Sequence, residues 1–203
     1  MTDKFALLNE PRRPWLEEEA LKAKFFSISA QAHPDRVHTR EEDERSSAQE
    51  RYAELNAAYQ CLRDPKERLK HLLELELGTK PPQVQNVPGE LMDCSLAVAQ
   101  LCRQVDAFLA EKATTSSPLL QVSLFERGQE WREKVNGFQS GILAQRENLL
   151  KQLKELDNRW IAFGQEHDDR KKLLHRLVQL SGLLGYFDKW HTQLQDRIVQ
   201  LSV

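Results

Sequence analysis

The side chains in this sequence that could do chemistry lie mainly in two short polar stretches. One is His33-Pro34-Asp35 with His38 close behind, and the other is His167-Asp168-Asp169 followed by His175. Imidazole and carboxylate groups can bind metal ions or transfer protons. Neither stretch has a further ligand at a spacing known from metal sites, so we predict solvated side chains, no bound metal and no cofactor.

The sequence lacks the motifs of the common enzyme classes. It contains no GxSxG, HExxH, Walker A or GxGxxG string, and its 8 glycines are too few for a phosphate-binding loop. The three cysteines, Cys61, Cys94 and Cys102, are odd in number and form no CxxC pair. They indicate neither a disulfide framework nor a zinc site. We therefore predict that the protein is not an enzyme.

Charge is balanced along the chain, which argues against a nucleic-acid partner. Residues 1–80 hold 14 Lys and Arg against 16 Asp and Glu, and residues 81–203 hold 15 against 15. A nucleic-acid binder needs a basic surface, and neither half supplies one. No apolar run reaches the length of a membrane span, and the first residues have neither a signal nor a transit pattern. A cytoplasmic protein without a membrane partner is expected.

Two helices are predicted to hold His33-Pro34-Asp35 between them. After a short helix around Phe5–Leu8, a longer one runs from about Leu16 to Ala32, and Pro34 ends it. The next helix has apolar side chains at alternating spacings of four and three: Ala48, Tyr52, Leu55, Tyr59 and Leu62. The pattern predicts an antiparallel pair joined by the His-Pro-Asp loop. From spacing alone, the better explanation of the tripeptide is a capped helix end, with Pro34 ending one helix and Asp35 capping the next.

A further helix and a linker follow this pair. Asp64-Pro65-Lys66-Glu67 has the residues of a capping box with proline at the first helical position, so we predict a helix from Pro65 to about Leu77. Gly78 is placed to end that helix, and Pro81-Pro82 cannot lie inside one. These features predict a domain over residues 1–77 and a linker over residues 78–89.

Residues 90–203 are predicted to form an antiparallel bundle of three long helices. Pro118 begins the middle helix after Ser117, and an apolar stripe continues from Leu124 to Trp160. Asp168 is a candidate N-cap for the last helix. Gly137 and Gly141 could mark a kink or a close helix crossing. The fold class is therefore all-α, and self-association as a dimer through the long bundle helices stays open.

Residues 5–77 resemble the J domain, and more narrowly the HscB-type co-chaperone of iron–sulfur cluster assembly. The matching residues are His33-Pro34-Asp35-Arg36, then the run Leu55-Asn56-Ala57-Ala58-Tyr59 with Leu62-Arg63-Asp64-Pro65 after it, and a Leu72-Leu73 ending. The tripeptide alone is a weak signal, whereas its combination with the later run is specific. The resemblance implies a J-domain hairpin followed by a three-helix bundle.

The resemblance also implies a partner and a site for it. J domains stimulate ATP hydrolysis by a DnaK/HscA-type chaperone, which the loop and the basic face of the second helix contact. Carried over to this chain, the chaperone-binding residues are His33, Pro34, Asp35, Arg36, Lys22 and Lys24. The basic face is thinned here, because Phe26, Ser27, Ala30 and Gln31 stand at other sites where lysine or arginine is frequent in the family.

HscB-type proteins use the bundle to bind a client, the iron–sulfur scaffold protein. Glu90-Leu91-Met92 is similar to the family's apolar opening motif, and Tyr186-Phe187-Asp188-Lys189 is similar to its last-helix motif. The implied client-binding residues are Leu91, Met92 and Tyr186, on an exposed apolar strip. A third apolar position falls on Ser95, which departs from the family pattern.

A second class of function competes with this interpretation. The chain could be a helical adaptor, or a general chaperone cofactor, whose J-like hairpin has weakened or lost its coupling to an ATPase. The thinned basic face of the second helix favours the adaptor. The intact His33-Pro34-Asp35 favours the co-chaperone.

Overall fold

The computed structural model describes residues 2–30, 42–82, 89–162 and 167–202. These ranges hold seven α-helices and no strand, which confirms the all-α class. The helices are α1 (Lys4–Leu7), α2 (Glu18–Ser29), α3 (Glu42–Arg63), α4 (Pro65–Leu77), α5 (Gly89–Thr114), α6 (Pro118–Ala162) and α7 (His167–Ser202). His33, Pro34, Asp35 and Arg36 lie outside the described residues.

The helices belong to two compact units. Unit 1 comprises Met1–Gln83 together with Leu150–Ser181, and unit 2 comprises Val84–Leu149 together with Gly182–Val203. Helices α6 and α7 therefore each contribute residues to both units. The division by sequence into 1–77, 78–89 and 90–203 remains a prediction about the order of domains along the chain.

The predicted helical hairpin forms the first part of unit 1. The ring of Phe25 on α2 stacks on that of Tyr59 on α3, with centroids 4.4 Å apart. Both predicted stripes face inward, since Leu21 and Phe25 on α2 and Leu55 and Leu62 on α3 are buried. Each buried leucine or phenylalanine contributes about 1.5–3 kcal/mol of transfer free energy. This apolar contact fixes α2, so the opposite side of α2 faces solvent.

Helix α4 begins and ends where the sequence predicted. The Asp64 carboxylate accepts hydrogen bonds from the backbone N–H groups of Lys66 and Glu67, both at 2.9 Å, and Pro65 is the first helical residue. At the other end Gly78 has φ +69°, a left-handed conformation that glycine adopts without a Cβ clash. Its N–H donates to the Glu74 carbonyl at 3.1 Å.

The start of α2 was predicted two residues too early. The helix begins at Glu18 rather than Leu16 because a long-range contact holds the preceding residues in an extended conformation. The N–H of Trp15 donates to the carboxylate of Asp157 on α6 at 3.1 Å, and the carbonyl of Pro14 accepts from Arg68 at 2.9 Å. Tertiary hydrogen bonds therefore override the local helical pattern here.

Asp157 is the centre of a polar cluster in unit 1. It is 1% exposed and pairs with the Arg13 guanidinium through both carboxylate oxygens. Beside it, the indole N–H of Trp160 donates to the Arg12 carbonyl at 2.9 Å. These bonds join the segment between α1 and α2 to the end of α6. A hydrogen bond to a buried ion contributes more than a neutral one, about 1.5–3 kcal/mol.

Arg68 on α4 is a second buried charge in unit 1. Its side chain is 3% exposed, and it donates to the carbonyl oxygens of Pro14 at 2.9 Å and Leu62 at 2.7 Å. Its guanidinium lies 5.8 Å from the centroid of the Trp15 ring. Burial lowers the pKa of Arg68 to about 10, so the side chain still carries its charge at neutral pH.

Unit 2 contains the antiparallel packing expected of a three-helix bundle. Gly128 on α6 faces the ring of Phe108 on α5, where an added Cβ would lie 3.7 Å away. An added Cβ at Gly137 or Gly141 would meet nothing within 4 Å, so the close approach lies at Gly128. Arg146 on α6 pairs with Asp188 on α7 at 2.7 Å.

The N-cap predicted at Asp168 is wrong, because α7 begins at His167 and Asp168 lies within its first turn. An aspartate favours the first turn of a helix as well as the N-cap, since both positions lie near the positive end of the helix dipole. The local sequence therefore does not distinguish the two positions.

Candidate partner-binding surfaces

The exposed side of α2 is the described part of the predicted chaperone-binding surface. Lys22, Ala23, Phe26, Ser27 and Ala30 are all exposed, and they follow one another at helical spacing on the side away from α3. Phe26 is 59% exposed, although its ring lies 5.6 Å from that of Phe25. An aromatic side chain thus stands in solvent where the family often places a positive charge.

Lys24 is predicted to bind the partner, but in the structure it contacts its own chain. Its ammonium group lies 3.0 Å from the Glu10 carboxylate and 3.1 Å from the Asn9 carbonyl. Asn9 is in a left-handed conformation with φ +53°, which asparagine tolerates better than most residues. Lys24 therefore ties α2 to the turn after α1 while its side chain stays partly exposed, and Lys22 is a second exposed cation on α2.

The predicted client-binding strip is only partly exposed. Leu91 is 9% exposed and belongs to the core of unit 2, whereas Met92 is 56% exposed. Leu96, one helical turn after Met92, is 66% exposed, and residues four apart are neighbours on a helix surface. The exposed apolar surface on α5 therefore consists of Met92 and Leu96 rather than Leu91 and Met92.

Tyr186 on α7 is half-buried, with its ring centroid 6.0 Å from that of Trp190. Asp106 on α5 and Arg197 on α7 are joined at 2.9 Å, so these two helices run side by side in unit 2. The two helices are parallel, because each is antiparallel to α6. Tyr186 precedes Arg197 by 11 residues, and Ser95 precedes Asp106 by 11 residues. In two parallel helices Tyr186 therefore lies near the level of Ser95, beside the exposed surface on α5.

Two exposed residues, Phe26 and Leu96, were missed by sequence reasoning. A signal was available for both, since each is a large apolar residue that falls off the buried stripe of its helix. Phe26 follows the core residue Phe25, and Leu96 lies between the buried residues Leu91 and Val98 of α5. Such residues mark a contact surface more reliably than residues on the stripe do.

The described residues offer little for catalysis or metal binding. They contain no group of three or more His, Cys, Asp or Glu that could hold a metal ion. Burial raises the pKa of the thiols of Cys61, Cys94 and Cys102, so these remain protonated at neutral pH. Across the same residues, no helix is both long and apolar enough to cross a membrane.

Comparison with known families identifies the first four helices. The profile of the DnaJ domain family matches residues 5–71, a range that begins in α1, ends in α4 and encloses His33-Pro34-Asp35. The chain contains a DnaJ domain. The resemblance seen in the sequence is confirmed at this level, and the paired helices α2 and α3 are the hairpin of the DnaJ domain.

Curated relatives of this chain include co-chaperone proteins named HscB homolog. The chain is 40% identical over 73 residues to a co-chaperone protein HscB homolog from Cupriavidus taiwanensis, and 39% identical over 72 residues to one from Bordetella petrii. Each match covers 36% of this chain and 42% of the relative. The chain thus matches less than half the length of these relatives in sequence.

Solved structures extend the likeness beyond the DnaJ domain. The chaperone HscB from Vibrio cholerae has a TM-score of 0.64 at 18% identity, with 96% of each chain covered. The human co-chaperone protein HscB has a TM-score of 0.60 at 16% identity, covering 96% of this chain and 81% of the human one. The chain therefore has the HscB fold, a DnaJ domain followed by a helical bundle.

Proposed function

We propose that this protein is a co-chaperone that stimulates ATP hydrolysis by a DnaK-type chaperone. The observation that carries the proposal is the DnaJ domain match over residues 5–71, which encloses an intact His33-Pro34-Asp35. Relatives named as HscB co-chaperones support the same role. Arg36 and Lys22 are the basic residues proposed to contact the partner beside the tripeptide.

The protein would do no chemistry itself. A partner with two conformations shifts towards the one that a ligand binds more tightly, so the DnaJ domain needs only to bind the hydrolysis-competent state preferentially. The buried contact of α2 with α3 supports this role by holding α2 in place.

The direct test is single-turnover ATP hydrolysis by the organism's own DnaK-type chaperones, with the wild-type protein and with His33→Gln. We expect the wild type to accelerate hydrolysis and His33→Gln to abolish the acceleration, because the substitution removes the ring from the contact. His38→Gln is the matched control and should act like the wild type. A wild type that accelerates none of these ATPases would exclude the co-chaperone role and leave the adaptor.

We also propose that unit 2 binds a client through Met92, Leu96 and Tyr186. Met92 and Leu96 are largely exposed apolar side chains one turn apart, and adjacent exposed apolar residues can form a protein-binding surface. Leu91 would contribute by packing beneath them. The HscB resemblance makes an iron–sulfur cluster scaffold protein the proposed client.

Client binding can be measured by calorimetry with a purified iron–sulfur scaffold protein. Met92→Glu should weaken binding by about 30-fold, the effect of losing a hot-spot residue of about 2 kcal/mol. Val199→Glu is the matched control, since Val199 is 55% exposed on α7 and lies outside the proposed surface. Equal affinities for the two variants would show that Met92 is not part of the client site.

One observation favours the adaptor as the alternative. The contacts of Lys24 with Glu10 and Asn9 remove one of the two predicted cations from the partner-facing side of α2. Weaker electrostatic attraction lowers the association rate. On the adaptor hypothesis the wild type would bind its client with no effect on ATP hydrolysis.

A further inference from the structure

We propose that Phe26 is the apolar anchor through which α2 binds the DnaK-type chaperone, and that it takes the place of charge in this contact. This inference rests on the proposed co-chaperone function and names a further residue of the same surface. The partner it implies is a chaperone surface with an apolar depression and an acidic group beside it.

The exposure of Phe26 is the first support. Phe26 is 59% exposed in the last turn of α2, while its neighbour Phe25 is buried and stacks on Tyr59. The two phenylalanine rings lie 5.6 Å apart at an interplanar angle of 51°. The ring of Phe26 therefore projects from a fixed helix and already has an intramolecular contact, so a partner that covers it pays little ordering entropy.

The surroundings of Phe26 favour a flat apolar contact. Ala23 and Ala30 lie three residues before and four residues after it, on the same side of α2. Because both of these side chains are small, the ring of Phe26 projects further from α2 than they do. An aromatic residue ringed by small contacts is the usual composition of an interface hot spot.

The charge on α2 is the second support. Glu18 and Glu19 lie in the first turn, and Lys24 is held by Glu10. Lys22, one turn before Phe26, is exposed, and Lys24 is exposed too but has its charge paired with the Glu10 carboxylate. This face cannot attract an acidic surface strongly, so its affinity must come largely from apolar burial with Lys22 setting the register.

The position of Phe26 explains why the chaperone is the proposed occupant. Phe26 lies in the last turn of α2, and His33 follows Ser29, the last residue of that helix, by four positions, so the chain keeps the tripeptide within about 14 Å of the end of α2. A chaperone that binds His33-Pro34-Asp35 therefore meets the exposed side of α2. The opposite side of α2 is covered by α3.

The test measures stimulation of ATP hydrolysis as the concentration of co-chaperone is raised, for the wild type, Phe26→Ala and Phe125→Ala. We expect Phe26→Ala to raise the half-maximal concentration at least about tenfold. Phe125→Ala is the matched control, because Phe125 is a phenylalanine of similar exposure, 65%, on α6. It should leave the half-maximal concentration unchanged.

Phe26→Leu and Phe26→Lys test whether position 26 needs an apolar side chain or only a large one. Leucine should retain most of the stimulation and lysine should lose it at about 150 mM salt, where exposed charges are screened beyond roughly 8 Å. Wild-type stimulation should change less than about threefold as salt rises from about 50 to about 200 mM, in contrast to a contact formed by many charges.

The outcomes separate this inference from the function on which it rests. Stimulation by the wild type together with an unchanged half-maximal concentration for Phe26→Ala would overturn the anchor and leave the co-chaperone role intact. Higher stimulation by Phe26→Lys than by the wild type would overturn it as well. A wild type that stimulates no DnaK-type ATPase would overturn both proposals.

Discussion

Asp157→Ala is expected to lower the free energy of unfolding of unit 1 by about 3–4 kcal/mol, because one partner of a buried ion pair is removed. The Arg13 guanidinium loses both of its carboxylate hydrogen bonds, and the Trp15 N–H loses its acceptor. The Arg13 side chain is 31% exposed, so water can solvate part of its guanidinium group in the variant.

The measurement is urea denaturation followed by circular dichroism, with a lower transition midpoint expected at unchanged slope. Asp169→Ala is the control, because Asp169 is an aspartate of the same unit with a 40% exposed side chain and an exposed ion pair to Lys172 on its own helix. It should leave the midpoint unchanged. A midpoint for Asp157→Ala equal to that of Asp169→Ala would show that the buried cluster contributes no net stability.

Arg68→Ala is expected to cost about 3 kcal/mol of stability through a different mechanism. Within the described part of the chain, Arg68 donates to two backbone carbonyl oxygens, those of Pro14 and Leu62, and to no carboxylate. Leu62 lies in the last turn of α3, where carbonyl groups lack partners within the helix. Alanine leaves both oxygens buried without donors, at about 1–3 kcal/mol each, and this outweighs the cost of burying the charge.

Arg68→Lys tests whether geometry or charge matters at this position. A lysine carries the same charge, but it lacks the planar guanidinium that donates hydrogen bonds to both carbonyl oxygens at once. We therefore expect it to recover less than half of the lost stability. Lys70→Ala, at an exposed position of the same helix, is the control and should have no effect on the urea midpoint. If Arg68→Lys matched the wild type, the fork geometry would not be what stabilises this site.

Local features of this fold could be predicted from the sequence because they depend on neighbouring residues. The cap at Asp64, the first-turn Pro65 and the terminal Gly78 each satisfy backbone groups within a few positions, so residue type alone indicates them. The apolar stripes of α2 and α3 are of the same kind. Leu21 and Leu55 face the core because helical spacing places each of them on the apolar stripe of its helix.

Features that depend on distant residues could not be predicted in this way. Nothing in the residues around Trp15 shows that Asp157 will accept its N–H, and that contact is what delays the start of α2. The binding surfaces show the same limit. The sequence predicts that Lys24 is available to a partner protein. In the structure its ammonium group contacts the Glu10 carboxylate and the Asn9 carbonyl. Leu91 and Met92 are adjacent, but only the packing of unit 2 decides that Leu91 is buried.

The pairing of Arg13 with Asp157 has a consequence for synthesis on the ribosome. The two residues are 144 positions apart, so the segment before α2 is made long before its partner on α6. At about 5–20 residues per second, translation takes roughly 7–30 s to cover that distance. During this interval Trp15 and Arg13 lack the acceptor that the finished protein gives them, and a nascent chain can bind other factors through this region. Folding of unit 1 is thus completed late in translation, although most of its residues are among the first to be made.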